Sequence, residues 1–176
     1  MGTNPSGIGR EGEAPGEPLL RALGAHEAEA LLAFYNGLSE EARRLFRPLG
    51  WEASLDQCQA VCEAIGGGSR HDLVIEASGR IAGWAFLRKL DTTEADLGIG
   101  IAIPYTGRGL GRRLVDALIA HARDRGVAAI TLCHVADNAR ARHLYESCGF
   151  VETHRSPHDD GLNYVHMRLT LRPACG

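Results

Sequence analysis

The chain has 176 residues, 44% hydrophobic and 23% charged, which is the size and composition of one soluble globular domain. A net charge of −3 argues against gripping a nucleic acid backbone, and apolar runs such as Leu73-Val74-Ile75 fall far short of the roughly 20 residues of a membrane span. Glycine is the outlier, at 22 residues where about 7% is typical, and Lys89 is the only lysine among 19 basic residues.

Residues 1–17 carry five glycines, two prolines and few apolar side chains. Such a segment buries too little surface to offset its ordering entropy, so a disordered tail is expected, followed by one domain over 18–172. It also lacks the apolar core of a secretory signal. The odd cysteine count (58, 62, 133, 148 and 175) predicts reduced thiols in a cytoplasmic protein. Cys58 and Cys62 have no second Cys/His pair at ligand spacing, so they read as small buried hydrophobes and no metal is expected.

Leu19–Leu23 reads as a short strand, residues 25–37 as a helix, and 39–47 as another helical turn or two. Ser54-Leu55-Asp56-Gln57 has capping-box form ahead of the apolar face Leu55, Cys58, Val61, Cys62 and Ile65, which Gly66-Gly67-Gly68 terminates. The period then falls to two. Asp72–Ala77 and Arg80–Leu90 flank Ser78-Gly79 as a hairpin, and Ala95–Ile103 is a third strand. Gly98 and Gly100 inside that strand mark a bulge or a close approach of backbone or ligand. Leu110, Leu114, Val115, Leu118, Ile119 and Ala122 form one helical stripe ended by Gly126. Val127–Val135 is a buried strand and Asn138–Cys148 a helix closed by Gly149. Phe150–His154 and Asn163–Leu171 are the last strands, around the polar turn Ser156–Gly161. This order predicts a mixed α/β sheet with helices on both faces.

Between the third strand and the striped helix lies Thr106-Gly107-Arg108-Gly109-Leu110-Gly111. Small residues let successive N–H groups converge, and the helix N-terminus adds partial positive charge, so the turn is a candidate anion cradle. Arg108, Arg112 and Arg113 supply cations suited to phosphate. The P-loop pattern is missed because Arg112-Arg113 follow the last glycine. The dinucleotide fingerprint is missed because the glycines are evenly spaced. A tight turn with no ligand, or a nucleotide-binding module, is the alternative reading of this segment alone.

The spacing resembles the acetyl-CoA pyrophosphate loop of the GNAT superfamily of N-acetyltransferases, Gln/Arg-x-x-Gly-x-Gly/Ala, with Gly109 and Gly111 at the glycine positions. Thr106 departs from the usual Gln or Arg, so one side-chain phosphate contact is expected either to be lost or to pass to Arg108 or Arg112. A second segment, Asn138-x-x-Ala141-x-x-Leu144-Tyr145-x-x-x-Gly149-Phe150, is similar to the family's second cofactor segment. The resemblance implies a mostly antiparallel central sheet with a splayed strand pair, about 95–103 and 127–135, and helices on both faces. It implies acetyl transfer from acetyl-CoA to a primary amine, on a small molecule or a peptide, by direct attack in a ternary complex. A catalytically inactive CoA-thioester-binding domain of the same fold is the rival.

Residue by residue, the resemblance places Thr106 to Arg112 around the pyrophosphate and Asn138 on the pantetheine arm. Backbone groups of Ile101 and Ile103 would meet the thioester, although Pro104 falls one residue later than in many relatives. Tyr145 is the expected general acid, since a phenol of pKa about 10 is protonated at neutral pH. A lysine-like amine at pH 7 lies about 3.4 pKa units, or roughly 4.6 kcal/mol, from its free-base form. Asp96 and His134 are the candidate bases, with Glu94 a third; each is equally a solvated charge or a bonded core histidine. The acceptor groove is expected between the early helices and the loop His154–Asp160. A homodimer is left open.

Overall fold

A computed structural model describes residues 17–171. The tail expected over 1–17 lies outside them apart from Glu17, as does Cys175. Strand β1 (Leu19–Ala22) leads into helices α1 (Ala28–Asn36), α2 (Glu40–Leu45) and α3 (Leu55–Glu63). The hairpin β2 (Arg70–Ala77) and β3 (Arg80–Arg88) precedes β4 (Glu94–Ile101) and α4 (Leu110–Asp124). Then come β5 (Ala129–Val135), α5 (Ala139–Ser147), and the hairpin β6 (Val151–Pro157) and β7 (Asn163–Thr170).

Local sequence explains the boundaries. Ser54 Oγ accepts from the Gln57 N–H while Gln57 Oε1 accepts from the Ser54 N–H, completing the capping box of α3. Ser78 and Gly79 have φ of 51° and 70°, the left-handed pair that a two-residue hairpin turn requires. The third strand is shorter than its apolar pattern suggests. It stops at Ile101 because Ile103-Pro104-Tyr105 winds into a 3-10 turn, and Pro104 has no N–H to extend a ladder. At the other end of the chain β6 runs through Pro157, which pairs with Asn163, so the expected turn shrinks.

The seven strands form one sheet in the order β1-β2-β3-β4-β5-β7-β6. Only β4–β5 is parallel, and its register covers just Glu94–Asp96 against Ala129–Thr131. Beyond those rungs the two strands part, as the resemblance implies. One core lies under α4 and α5, where all six stripe residues of α4 are buried against Ile130, Leu132 and Met167. Fully burying an aliphatic side chain is worth roughly 1.5–3 kcal/mol, so this stripe fixes α4 and with it the glycine turn at its start. On the opposite face α1 and α3 cover Val74, Trp84 and Phe86, with Cys58 and Cys62 buried among them and their thiol pKa values pushed up by burial.

Candidate active site

Where β4 and β5 part, a cleft of about 710 Å³ opens at their carboxyl ends. The glycine turn forms one end of it. Gly107 and Gly109 hold φ of 76° and 75° with open space where a Cβ would stand. Gly109 is the N-cap of α4 and no side chain caps that helix, whereas Ser39, Ser54 and Asn138 cap α2, α3 and α5. The N–H groups of Leu110, Gly111 and Arg112 therefore have no side-chain partner among the described residues and stand in the positive field of the helix end. Gly111 has a separate cause: an added Cβ would stand 3.2 Å from Leu144 Cδ2, so it permits close contact between α4 and α5.

The side chains of the turn are less committed to phosphate than their charge suggests. Thr106 donates to Ile103 O at 2.9 Å and so closes the 3-10 turn. Arg112 pairs with Asp116 at 2.8 Å and reaches Ser147 O at 3.2 Å, bracing α4 against α5 while it lines the cleft. Arg108 lies over the Tyr105 ring at 5.6 Å, and the Leu110 side chain is buried in the core.

At the other end Asn138 caps α5, its Oδ1 accepting from the Ala141 N–H at 3.1 Å, which leaves its NH₂ for a ligand. Two helical turns on, Tyr145 is buried with its ring 6.0 Å from His134 and 5.8 Å from Phe150, and it lines the cleft. Burial, with smaller contributions from Cys133 and Cys148, holds its phenol pKa above the ordinary value, so the hydroxyl stays protonated throughout the neutral range. His134 lies on the same face of β5 as Leu132, beside Tyr145. Its Nδ1 is 2.9 Å from Val135 O, and a carbonyl only accepts, so Nδ1 carries the hydrogen. Its Nε2 is buried and without a partner among the described residues.

Two of the expected site residues are placed differently. Asp96 does not line the cleft: it is held by Lys89 Nζ at 2.8 Å and by Thr131 Oγ1 at 3.0 Å, where it pins the apex of the splay. Ile103 sits half exposed in the 3-10 turn, past the end of β4, and still lines the cleft. Ile101 remains on β4 and lines the cleft. Glu94 is taken up by Arg168 at 2.9 Å.

Gly98 and Gly100 owe their identity to aromatic rings. A Cβ on Gly98 would meet Phe86 Cζ at 2.3 Å, and one on Gly100 would meet Phe46 Cδ1 at 2.2 Å. Phe46 in turn packs on Trp84 with centroids 5.7 Å apart. This aromatic wall faces α2, from which Arg44 crosses to the loop before α5 and bonds both Asp137 oxygens at 3.0 Å. Neither the wall nor the bridge was evident in the sequence, since each joins residues that only the strand order brings together.

A second cavity of about 330 Å³ meets the first at Cys133. Its walls are the loop 46–54 and the β6–β7 turn, the position at which the sequence leads one to look for an acceptor. The loop is anchored to α1: Tyr35 donates to Gly50 O at 2.5 Å, and Asn36 brackets Ala53 at 2.9 and 3.0 Å. Across the cavity Asp160 accepts from Arg47, from the Tyr164 hydroxyl at 3.0 Å and from the Leu162 N–H at 2.9 Å. Burial opposes its charge, yet these donors hold its pKa below the usual carboxylate range. Arg47, Trp51, Tyr164 and His166 are lining residues that sequence reasoning missed.

Comparison with known proteins places these features. Over 52 residues the chain is 44% identical to a mycothiol acetyltransferase of Propionibacterium freudenreichii, covering 30% of this chain and 17% of that protein. Over 75 residues it is 37% identical to the [ribosomal protein bS18]-alanine N-acetyltransferase of Escherichia coli, covering 43% of this chain and 51% of that protein. The chain thus spans a sixth to a half of the length of these curated relatives. A structure from Salmonella typhimurium solved with its cofactor acetyl-CoA shares the fold at a TM-score of 0.75 and 23% identity, over 90% of this chain and 99% of that one. The family model described as Acetyltransferase (GNAT) family matches residues 31–150, a span running from α1 through both cofactor segments. On that match, and on a sheet whose one parallel pair splays over an uncapped glycine turn, the chain belongs to the GNAT acetyltransferase family.

Proposed function

We propose that the chain is an N-acetyltransferase that moves acetyl from acetyl-CoA to a primary amine, of a small molecule or a peptide, by direct attack in a ternary complex. The observation that carries this reading is the cleft itself, with uncapped helix N–H groups at one end and a protonated tyrosine at the other. Leu110, Gly111 and Arg112 N–H groups would hold the pyrophosphate, with Gly107 and Gly109 keeping the turn open and Arg108 and Arg112 adding charge. The Asn138 NH₂ and the unpaired edge of β4 up to Ile101 would hold the pantetheine and acetyl groups. Tyr145 would give its proton to the departing sulfur. His134 is on the α5 side of the sheet, so in this reading it serves the Tyr145 hydroxyl and not the amine.

Both curated relatives carry names of acetyltransferases, one acting on an alanine of a ribosomal protein and one on mycothiol chemistry, which supports an amine acceptor without choosing it. The test is release of free CoA thiol from acetyl-CoA against a panel of small-molecule and peptide amines. Amine-dependent release supports the proposal. Tight CoA binding with no amine-dependent release would instead make this an acyl-CoA-binding domain, and no CoA binding at all would refute both.

A further inference from the structure

Tyr145 provides a proton donor on the α5 side of the splay, but an amine arriving from the second cavity meets the other face. There β5 and β7 present Cys133 and His166, which are direct cross-strand partners and both line that cavity. Such partners have Cβ atoms about 4.5–5.5 Å apart, so whatever reaches Cys133 at the mouth of the cleft is within reach of His166.

Three carboxylates on this side are already engaged. Asp96 is held by Lys89 and Thr131, Asp137 by Arg44, and Asp160 by Arg47, Tyr164 and the Leu162 N–H. Glu41, exposed in the first turn of α2, lines the main cleft but not the second cavity, from which the amine arrives. Burial pushes the Cys133 thiol pKa up, so it is a poor base at neutral pH. His166 is different. Ser156 Oγ stands 2.8 Å from its Nε2, and its ring stacks on His154 with centroids 4.1 Å apart and planes 7° apart, which fixes its orientation. Burial, and then the neighbouring His154, hold its pKa below the ordinary imidazole value, so it is unprotonated at pH 7. The remaining charged or titratable groups around it are Arg47, His158 and Tyr164 in the cavity wall, and Arg168 two residues along β7, which pairs with Glu94.

We propose that His166, held by Ser156, is the acceptor-side general base that takes the proton from the amine. This rests on the N-acetyltransferase reading above. In the base form Nε2–H donates to Ser156 Oγ and Nδ1 carries the lone pair. An ammonium substrate gives one proton to Nδ1, directly or through one water. The freed nitrogen lone pair forms the C–N bond at the thioester carbonyl carbon, the C–S bond breaks, and the Tyr145 hydroxyl proton goes to sulfur. The second nitrogen proton leaves to solvent, His166 discharges to solvent, and Tyr145 regains one proton. The sum converts ammonium and acetyl-CoA to amide, CoA thiol and one free proton.

The test is the pH profile of kcat/KM for wild type and His166→Gln with acetyl-CoA and one reactive amine, together with the His166 ring titration followed by NMR in the wild-type protein. The wild type should show an acidic limb whose breakpoint equals the titration midpoint of the His166 ring. His166→Gln should lose that limb and fall by about 10²–10⁴-fold in kcat/KM while binding acetyl-CoA as before. An acidic limb that persists in His166→Gln, or a wild-type breakpoint away from the ring titration, overturns the assignment; the second readout stands even if the variant does not fold. Absence of amine-dependent turnover in the wild type overturns the acetyltransferase reading, and this one with it.

Discussion

Replacing Gly100 by Ala probes the aromatic wall directly. The added methyl would stand 2.2, 2.6 and 2.7 Å from Cδ1, Cε1 and Cγ of Phe46, inside the 3.0 Å that real Cβ atoms keep. The φ of Gly100 is outside the left-handed region, so alanine brings no backbone penalty and the cost is steric alone. Phe46 cannot simply turn aside, because its ring is packed on Trp84 at 5.7 Å, on Phe86 at 6.3 Å and on Tyr35 at 6.3 Å. Overpacking of this kind costs about 1–3 kcal/mol. For a domain of this size that is a fall of roughly 3–10 °C in Tm. Phe46 and Gly100 both line the cleft, so the KM for acetyl-CoA should rise in the same variant. Urea denaturation of Gly100→Ala, Phe46→Leu and the double variant gives the coupling between the two sites. A coupling of about 0.5–3 kcal/mol in favour of the double variant is expected for residues in contact. Gly100→Ala as stable as wild type, or costs that simply add, would refute the packing argument.

Two further outcomes follow from local geometry. Gly109→Ala forces a Cβ into a left-handed N-cap, at a cost of about 1–2 kcal/mol, and should raise the acetyl-CoA Kd about tenfold by calorimetry. An unchanged Kd would remove the turn from the phosphate site. Glu27 has its pKa lowered chiefly by the hydrogen bond from Arg21, with the Gly24 N–H helping against burial. A depressed folded value means the stabilisation is present above the unfolded carboxylate value and is lost as pH falls through the folded one. The gap in urea midpoint between wild type and Glu27→Gln should therefore be open near neutrality and close as the pH drops below about 4. A gap that stays constant into acid would show that the ion pair does not couple folding to pH.

Much of the architecture is legible because it is written locally. The capping box of α3, the Ser78-Gly79 turn and the α4 stripe each depend on residues within a few positions of one another. The glycine turn and Tyr145 are likewise carried by contiguous motifs. What escapes is everything that depends on strand order. Because β7 inserts between β5 and β6, His166 becomes the neighbour of Cys133, 33 positions earlier in the chain. Arg44 meets Asp137 across 93 positions for the same kind of reason. Asp96 has the residue type of a base, but Lys89 and Thr131 claim its carboxylate, and neither partner is marked as such by spacing. The glycine excess divides in the same manner. Gly107 and Gly109 answer to backbone conformation, whereas Gly98, Gly100 and Gly111 answer to side chains elsewhere in the fold.

We propose that chemistry occurs in the splay between β4 and β5 with Tyr145 as the acid. The most direct test is steady-state thiol release by wild type and Tyr145→Phe, with acetyl-CoA affinity measured on both. Loss of the one hydroxyl should lower kcat by about 10²–10⁴-fold while the Kd for acetyl-CoA and the thermal midpoint stay where they were. A Tyr145→Phe protein that turns over at the wild-type rate would contradict the claim.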